Sequence, residues 1–380
     1  MLRSWRWAVV IGCGALLVTT PAAVAALSVV GTSDVSAAVL LQRVQNSGGV
    51  PYSGYAESTG GLGLPVSSQF SSVADLFGGT TQMRAWWRGS QDWRVDTITL
   101  SGETDEHLDG SRLSTWNYEA NTVSVTDRAT ASAVRLPVAG DLLPTALAGR
   151  LLSEARSDEV SRLPDRRVAG RDVPGLAVRP SGANSTISEV DVWVDASGAA
   201  LQVVVKGAGV TVVSSRFLDF STATPSGRDT EFTPAPGVQQ QTNPDPDLAA
   251  LIDRLGGVQP PVSLQGFVRN PQLPAIGSIG VYGRGVTEFA VSPLFGRTAR
   301  SLRKQLSSTP GVMTTAGGTL AVSVGPLTLV LTGDGSGPTI SVPGEDGQPL
   351  RLSSQAWLLV GTVKTATLLK AAAELPAGVQ

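Results

Sequence analysis

Cysteine and histidine are almost missing from this chain, and each shortage removes a class of function. The sequence of 380 residues holds one of each. Cys13 falls in the first apolar stretch, so the rest has no disulfide and must rely on a hydrophobic core. His107 stands alone in Glu103-Thr104-Asp105-Glu106-His107-Leu108-Asp109. Zinc sites want several nitrogen or sulfur ligands, so the expectation is no metal and a polar residue on an exposed strand or turn. A Ser-His-Asp triad would have to use this histidine, and there is no Gly-x-Ser-x-Gly elbow to serve it. The glycine-rich stretch Gly277 to Gly285 lacks a following Gly-Lys-Ser/Thr, so no phosphate loop is read. A formal charge of −2, with no basic patch interleaved with aromatics, gives nucleic acid no electrostatic footing. Without clustered carboxylates at a recognisable spacing, neither an enzyme nor a cofactor is expected.

What is present starts with an uncharged run from Trp7 to Ser33, preceded by Arg3 and Arg6 and ended by Asp34. Crossing a bilayer takes about 20 apolar residues. Positive charge on the short N-terminal side predicts that everything after the run lies outside the cytoplasm. The run reads either as a cleaved signal peptide, with Ala23-Val24-Ala25 as the small-x-small site, or as a retained anchor. Val10-Ile11-Gly12-Cys13 also fits a loose lipobox, at an unusually early position. The expected location is extracytoplasmic, anchored to the cytoplasmic membrane or released into the envelope.

Thr32 to Asp34 is expected to cap a helix from Val35 to about Gln45. Short, turn-punctuated strands follow: Tyr52 to Ser58, a hairpin of Gln82 to Arg88 with Asp92 to Leu100, then Glu103 to Leu108 paired with Arg112 to Tyr118 across Asp109-Gly110-Ser111, and Asn121 to Thr126. Trp93-Arg94-Val95-Asp96-Thr97 alternates as a strand with one wet face does. Leu143, Leu147, Leu151 and Leu152 give an apolar face to a helix over 142–155. Strands are expected at Arg166 to Arg179, Ser188 to Val194, Ala200 to Gly207 and Val210 to Phe220. The proline-rich stretch Ser221 to Pro246 reads as a linker, not a strand. Beyond it come a helix at 247–255, strands near 279–292, a helix at 294–308 with Arg297, Arg300, Arg303 and Lys304 on one face, several strands from Val312 to Val342, a strand from Ala356 to Val363 and a helix from Thr365 to Leu375. The basic face reads as solvated, with contact to anionic headgroups as the alternative.

Some of these phrases resemble a known family. Tyr52-Ser53-Gly54-Tyr55-Ala56-Glu57 with Leu62-Gly63-Leu64-Pro65 is similar to membrane-anchored actinobacterial proteins of the LolA-like lipoprotein-carrier superfamily. So are Met83-Arg84-Ala85-Trp86-Trp87-Arg88 to Trp116-Asn117-Tyr118, and Val168-Ala169-Gly170-Arg171-Asp172-Val173 to Val192-Trp193-Val194-Asp195. The resemblance spans about residues 34–222. It implies an α+β protein: a signal or transmembrane segment (1–33), a curved antiparallel half-barrel over helices (34–222), a proline-rich linker (223–246) and a smaller α+β C-terminal domain (247–380). It further implies an apolar cavity for a lipid or lipoprotein acyl chain. The expected lid is Leu62, Leu64, Phe70, Val73, Leu76 and Phe77. The expected walls are Met83, Ala85, Trp93, Val95 and Trp116 from the sheet and Leu143, Leu147 and Leu151 from the helix. Of Trp86 and Trp87, which point to opposite faces, one is expected in the core and one as a contact. The same superfamily includes the RseB/MucB-type sensors, which regulate a membrane anti-sigma factor. That gives the alternative role, with a membrane protein as partner and no catalysis.

Overall fold

The computed structural model describes residues 31–61, 77–99, 102–127, 138–234, 236–242, 260–270, 279–333, 340–343, 349–352 and 355–375. The apolar run through Val30 and the helix expected at 247–255 lie outside the described residues. Among the described residues, no helix is long and apolar enough to cross a membrane.

The protein is mostly β-sheet with few helices. Its first six strands form a meander: β1 (Tyr52–Gly60), β2 (Thr80–Gly89), β3 (Asp92–Thr99), β4 (Gly102–Asp109), β5 (Arg112–Asn117) and β6 (Thr122–Asp127). Five more form a second meander: β7 (Val160–Val168), β8 (Arg171–Val178), β9 (Ile187–Val194), β10 (Ala200–Gly207) and β11 (Val210–Ser221). The two join where β11 pairs antiparallel with β1, which makes one large curved sheet. A glycine permits this seam. A Cβ on Gly54 would sit 2.6 Å from the Asp219 carbonyl and 2.8 Å from the Phe217 ring.

Helix α1 (Ala37–Gln45) and helix α2 (Pro144–Leu152) cover the inner face of that sheet. Ser36, not the preceding residues, caps α1 by accepting from the Val39 amide at 3.4 Å. Ser33 is held elsewhere: its amide donates to Asp165 at 2.6 Å and its carbonyl accepts from Arg162 at 2.9 Å. Proline opens the first turn of α2, where its missing N–H costs nothing. Leu40, Leu41 and Val44 of α1 and Ala148 and Leu152 of α2 bury against Leu176, Val190, Val192 and Val203. A second apolar cluster, under β1 to β3, holds Tyr52, Met83, Val95, Leu142, Leu143 and Phe217.

Two expectations need correction. The strand expected across Arg166 to Arg179 is a hairpin, because Ala169 and Gly170 both adopt left-handed φ (47° and 73°) and turn the chain. The stretch expected to contain no strand supplies β12 (Gln239–Thr242), which pairs parallel with β6. Before that, Ser226 and Asp229 close a capping box around the single turn Gly227–Thr230. This turn lies against the outer face of β2 to β4. The described residues from Ser221 to Pro234 and from Pro236 to Thr242 therefore follow the large sheet.

The C-terminal part begins with the short hairpin of β13 (Ser263–Leu264) and β14 (Phe267–Val268). Its sheet has the order β15-β16-β22-β19-β18-β17. The strands are β15 (Gly280–Arg284), β16 (Thr287–Phe295), β17 (Met313–Thr314), β18 (Leu320–Val324), β19 (Leu327–Leu331) and β22 (Gln355–Gly361), and a separate hairpin pairs β20 (Ile340–Pro343) with β21 (Pro349–Leu352). The strands expected near 279–292 are β15 and β16, paired antiparallel across the Gly285 turn. Helix α3 (Gly296–Ser307) buries Ala299 and Leu306 against Leu320 and Leu331, and helix α4 (Thr365–Glu374) buries Leu368 and Ala371 with Tyr282, Phe289 and Trp357. On the expected basic face, the Arg303 guanidinium donates to the carbonyls of Gly333 and Gly318 at 3.0 and 2.7 Å. The Arg297 side chain lies outside the described residues.

The two sheets are tied together. Thr186 donates from its amide to Thr362 and Lys364 donates to Asn184, both at 2.9 Å. Arg284 grips Glu159 through Nη1 (3.0 Å) and Nη2 (2.5 Å). Val286 joins the apolar cluster under α1 and α2.

Candidate functional site

The strand period of two sorts β2 to β5 into two faces. Register places Met83, Ala85 and Trp87 of β2 beside Trp93 and Val95 of β3 on the inner face. Arg84 and Trp86 fall with Arg94 and Asp96 on the outer face, followed across the sheet by Asp105, His107, Ser114 and Trp116.

On the inner face, Tyr52 stands opposite Trp87 across the β1–β2 pair. Their rings stack at 6.0 Å, and Trp87 stacks on Trp93 at 5.7 Å. The Tyr52 hydroxyl and Thr145 Oγ1 of α2 are 2.6 Å apart, which fixes the roof to the wall. Burial pushes the Tyr52 phenol far above its usual range, so it stays neutral. Beside this aromatic wall opens a cleft of about 340 Å³. Val44, Gln45, Ser47 and Gly48 from the end of α1, Thr145, Ala146 and Gly149 from α2, and Ser90 from the β2–β3 turn complete it. None of these side chains carries a charge.

The expected site residues divide as follows. Met83, Ala85, Trp93, Val95 and Leu143 come together in one apolar cluster, and all but Trp93 are no more than 1% exposed. Phe77 packs against both apolar clusters, and Leu147 and Leu151 pack on the one under α1. A Cβ on Gly60 would lie 2.1 Å from the Phe77 carbonyl oxygen, so glycine there lets this segment approach β1. Trp116, expected on the cavity wall, is on the outer face, with its ring 5.4 Å from Tyr118 and 6.4 Å from Phe232. Leu62, Leu64, Phe70, Val73 and Leu76 lie outside the described residues. Tyr52 was missed as a lining residue. Its signal was its pairing with Trp87, which the register reveals and the sequence does not.

The outer face also differs from expectation. His107 is buried, not exposed, and its Nδ1 is 2.9 Å from the Thr230 carbonyl. Phe232 covers it with ring centroids 5.0 Å apart. The Pro225 carbonyl accepts from Arg88 at 2.8 Å. Beneath this strap, Arg94 donates to both Asp96 oxygens at 2.6 and 2.8 Å and to Asp105 at 3.2 Å, with its guanidinium 4.9 Å from the Trp86 ring. Burial and then the Asp96 charge push the Asp105 carboxyl up to about 7, against the pull of Arg94. Burial lowers His107.

A second cleft, of about 320 Å³, lies between the two sheets, with Leu151, Val178 and Phe267 among its walls and the Glu159–Arg284 pair at its rim.

No family model matches the sequence, and no curated protein does. Solved structures do. A MucA/MucB complex from Pseudomonas aeruginosa aligns over 90% of this chain and 99% of that one, at 16% identity and a TM-score of 0.47. MucB in complex with MucA(peri) aligns over 90% and 100%, at 15% identity and a TM-score of 0.45. A LolA superfamily protein from Nitrosomonas europaea aligns over 52% and 98%, at 11% identity and a TM-score of 0.26. The structural neighbours thus include LolA-superfamily proteins and MucB, the two kinds the sequence resembles. Likeness this loose carries no conclusion about ligand or partner.

Proposed function

We propose that this chain is an extracytoplasmic envelope protein that binds a lipid or lipoprotein acyl chain in the cleft between α1, α2 and the inner face of the sheet. It meets the membrane through its N-terminal segment and performs no catalysis. The supporting observation is the uncharged cleft at Tyr52 and Trp87, which opens directly beside an apolar core. Each CH₂ buried there would contribute about 0.8 kcal/mol, so a chain of modest length binds without any reactive group. A second reading, a sensor that contacts a membrane protein, draws on another observation. Met83, Val95 and Leu143 already fill the space deeper in, so the cleft is shallow.

Fatty acids brominated along the chain test the first reading. Saturable quenching of tryptophan fluorescence that strengthens with chain length, and that falls in Trp87→Phe, is the expected outcome. No saturable quenching at any chain length would contradict it and favour the sensor.

A further inference from the structure

The lone histidine has company that its sequence neighbourhood does not show. Asp96 of β3 is register partner to Asp105 of β4, and His107 lies two residues further along β4 on the same face. One ligand atom from each of these three side chains lies within 4.8 Å of the other two. All three are buried, at 1%, 4% and 5% exposure for Asp96, Asp105 and His107.

Two further observations point to something bound there. First, a carbonyl oxygen only accepts, so Nδ1 of His107 must carry its proton to bond Thr230. Nε2 of the neutral ring then holds a lone pair. A histidine whose second nitrogen is tied to a backbone carbonyl is the usual arrangement of a metal ligand. Second, Asp105 Oδ1 is fully buried and has no hydrogen-bond partner. An orphaned carboxylate oxygen in a native interior calls for a donor, a proton or a cation. Arg94 supplies one positive charge against two carboxylates, so the cluster can accept more.

We propose that Asp96, Asp105 and His107 form a binding site for one divalent first-row transition-metal ion. One imidazole nitrogen and carboxylate oxygens suit zinc or manganese, with water completing the shell. Zinc draws such donors to about 2.0–2.2 Å, within reach of small side-chain adjustments. The ion would act as a clasp. By fixing His107 it fixes the Thr230 carbonyl, and through it the Ser221 to Thr242 strap on the outer face. This site is independent of the acyl cleft, which lies on the other side of the sheet.

A single histidine makes the test self-assigning. The untagged full-length protein, stripped with chelator and reloaded with Zn²⁺, is measured by titration calorimetry and by X-ray absorption at the zinc edge. The expected result is one equivalent bound, with one imidazole in the shell, which can only be His107. His107→Gln and Asp105→Asn each lower the affinity at least tenfold, while circular dichroism of the metal-free variants stays that of the parent. No stoichiometric binding of Zn²⁺ or Mn²⁺, or a shell of oxygens only, overturns the proposal. So does unchanged affinity in folded variants. If the variants fail to fold, the imidazole signature of the parent still decides.

Discussion

The two faces of β2 to β5 are built from the same strands and bury their side chains by opposite means. On the inner face Met83, Ala85 and Val95 meet Leu143 and other apolar groups, and the contact is non-directional. On the outer face Arg94, Asp96, Asp105 and His107 are held by individual directional hydrogen bonds, with Asp105 Oδ1 left unpaired, and a strap from over a hundred residues later covers His107. The inner face tolerates a change of shape; the outer face depends on every partner being present.

The largest expected effect breaks the outer face. Arg94→Met leaves two buried carboxylates without their cation and should lower unfolding free energy by about 3–5 kcal/mol in urea. A loss under about 1 kcal/mol would mean that this face is no more than solvated surface. On the inner face Leu143→Ala should cost about 2–4 kcal/mol, the range for a buried leucine, with little change in acyl quenching, since Leu143 is wholly buried. Equal losses of stability and binding would place Leu143 in the ligand site after all.

Smaller effects sharpen the contrast at the junction of the two sheets, where two carboxylates are shifted in opposite senses. Burial, then Glu154, push Glu288 up to about 7. Its folded form holds the proton more tightly, so the stability it supports is complete below about pH 4.5 and declines as pH rises towards 7. Burial pushes the Glu159 carboxyl up, but its hydrogen bonds to Arg284, the Arg156 amide and Ser181, together with the Arg284 charge, outweigh burial and hold it down at about 2. Its contribution is present above about pH 4.5 and is lost as pH falls towards 2. Each limb should be on the order of 1 kcal/mol once solvent screening at these partly exposed groups is allowed for. Thermal unfolding from pH 2 to 8 reads both: Glu288→Gln should flatten the upper limb and Glu159→Gln the lower. The smallest effect is Tyr52→Phe. Losing the bond to Thr145 should cost about 0.5–1.5 kcal/mol in urea unfolding.

The same contrast explains what the sequence disclosed. Alternation in Trp93 to Thr97 and the Asp109-Gly110-Ser111 turn are local signals, and the structure has those strands and that turn. Helical spacing marks the apolar face of α2 and alternation the two faces of β3, whereas Met83 and Ala85 of β2 are expected to face inward from the family resemblance. His107 read as exposed because its strand position is the wet one. Thr230 and Phe232, distant in sequence, cover it, and no local pattern encodes that. Trp116 read as a cavity wall for the complementary reason, since aromatic character does not say which face it serves. The β7–β8 hairpin was hidden by an Ala-Gly turn, alanine being a rare occupant of left-handed φ. β12 was hidden by the prolines around it.

The inner face is proposed to hold an acyl chain. Native mass spectrometry of the protein, taken without detergent from the envelope of an exporting host and followed by organic extraction, tests it most directly. The expected result is a stoichiometric adduct that extracts as an acylated lipid and is lost when Trp87 and Ala146 are both replaced by aspartate in a protein that still folds. A clean ligand-free mass from a host rich in envelope lipid would contradict it.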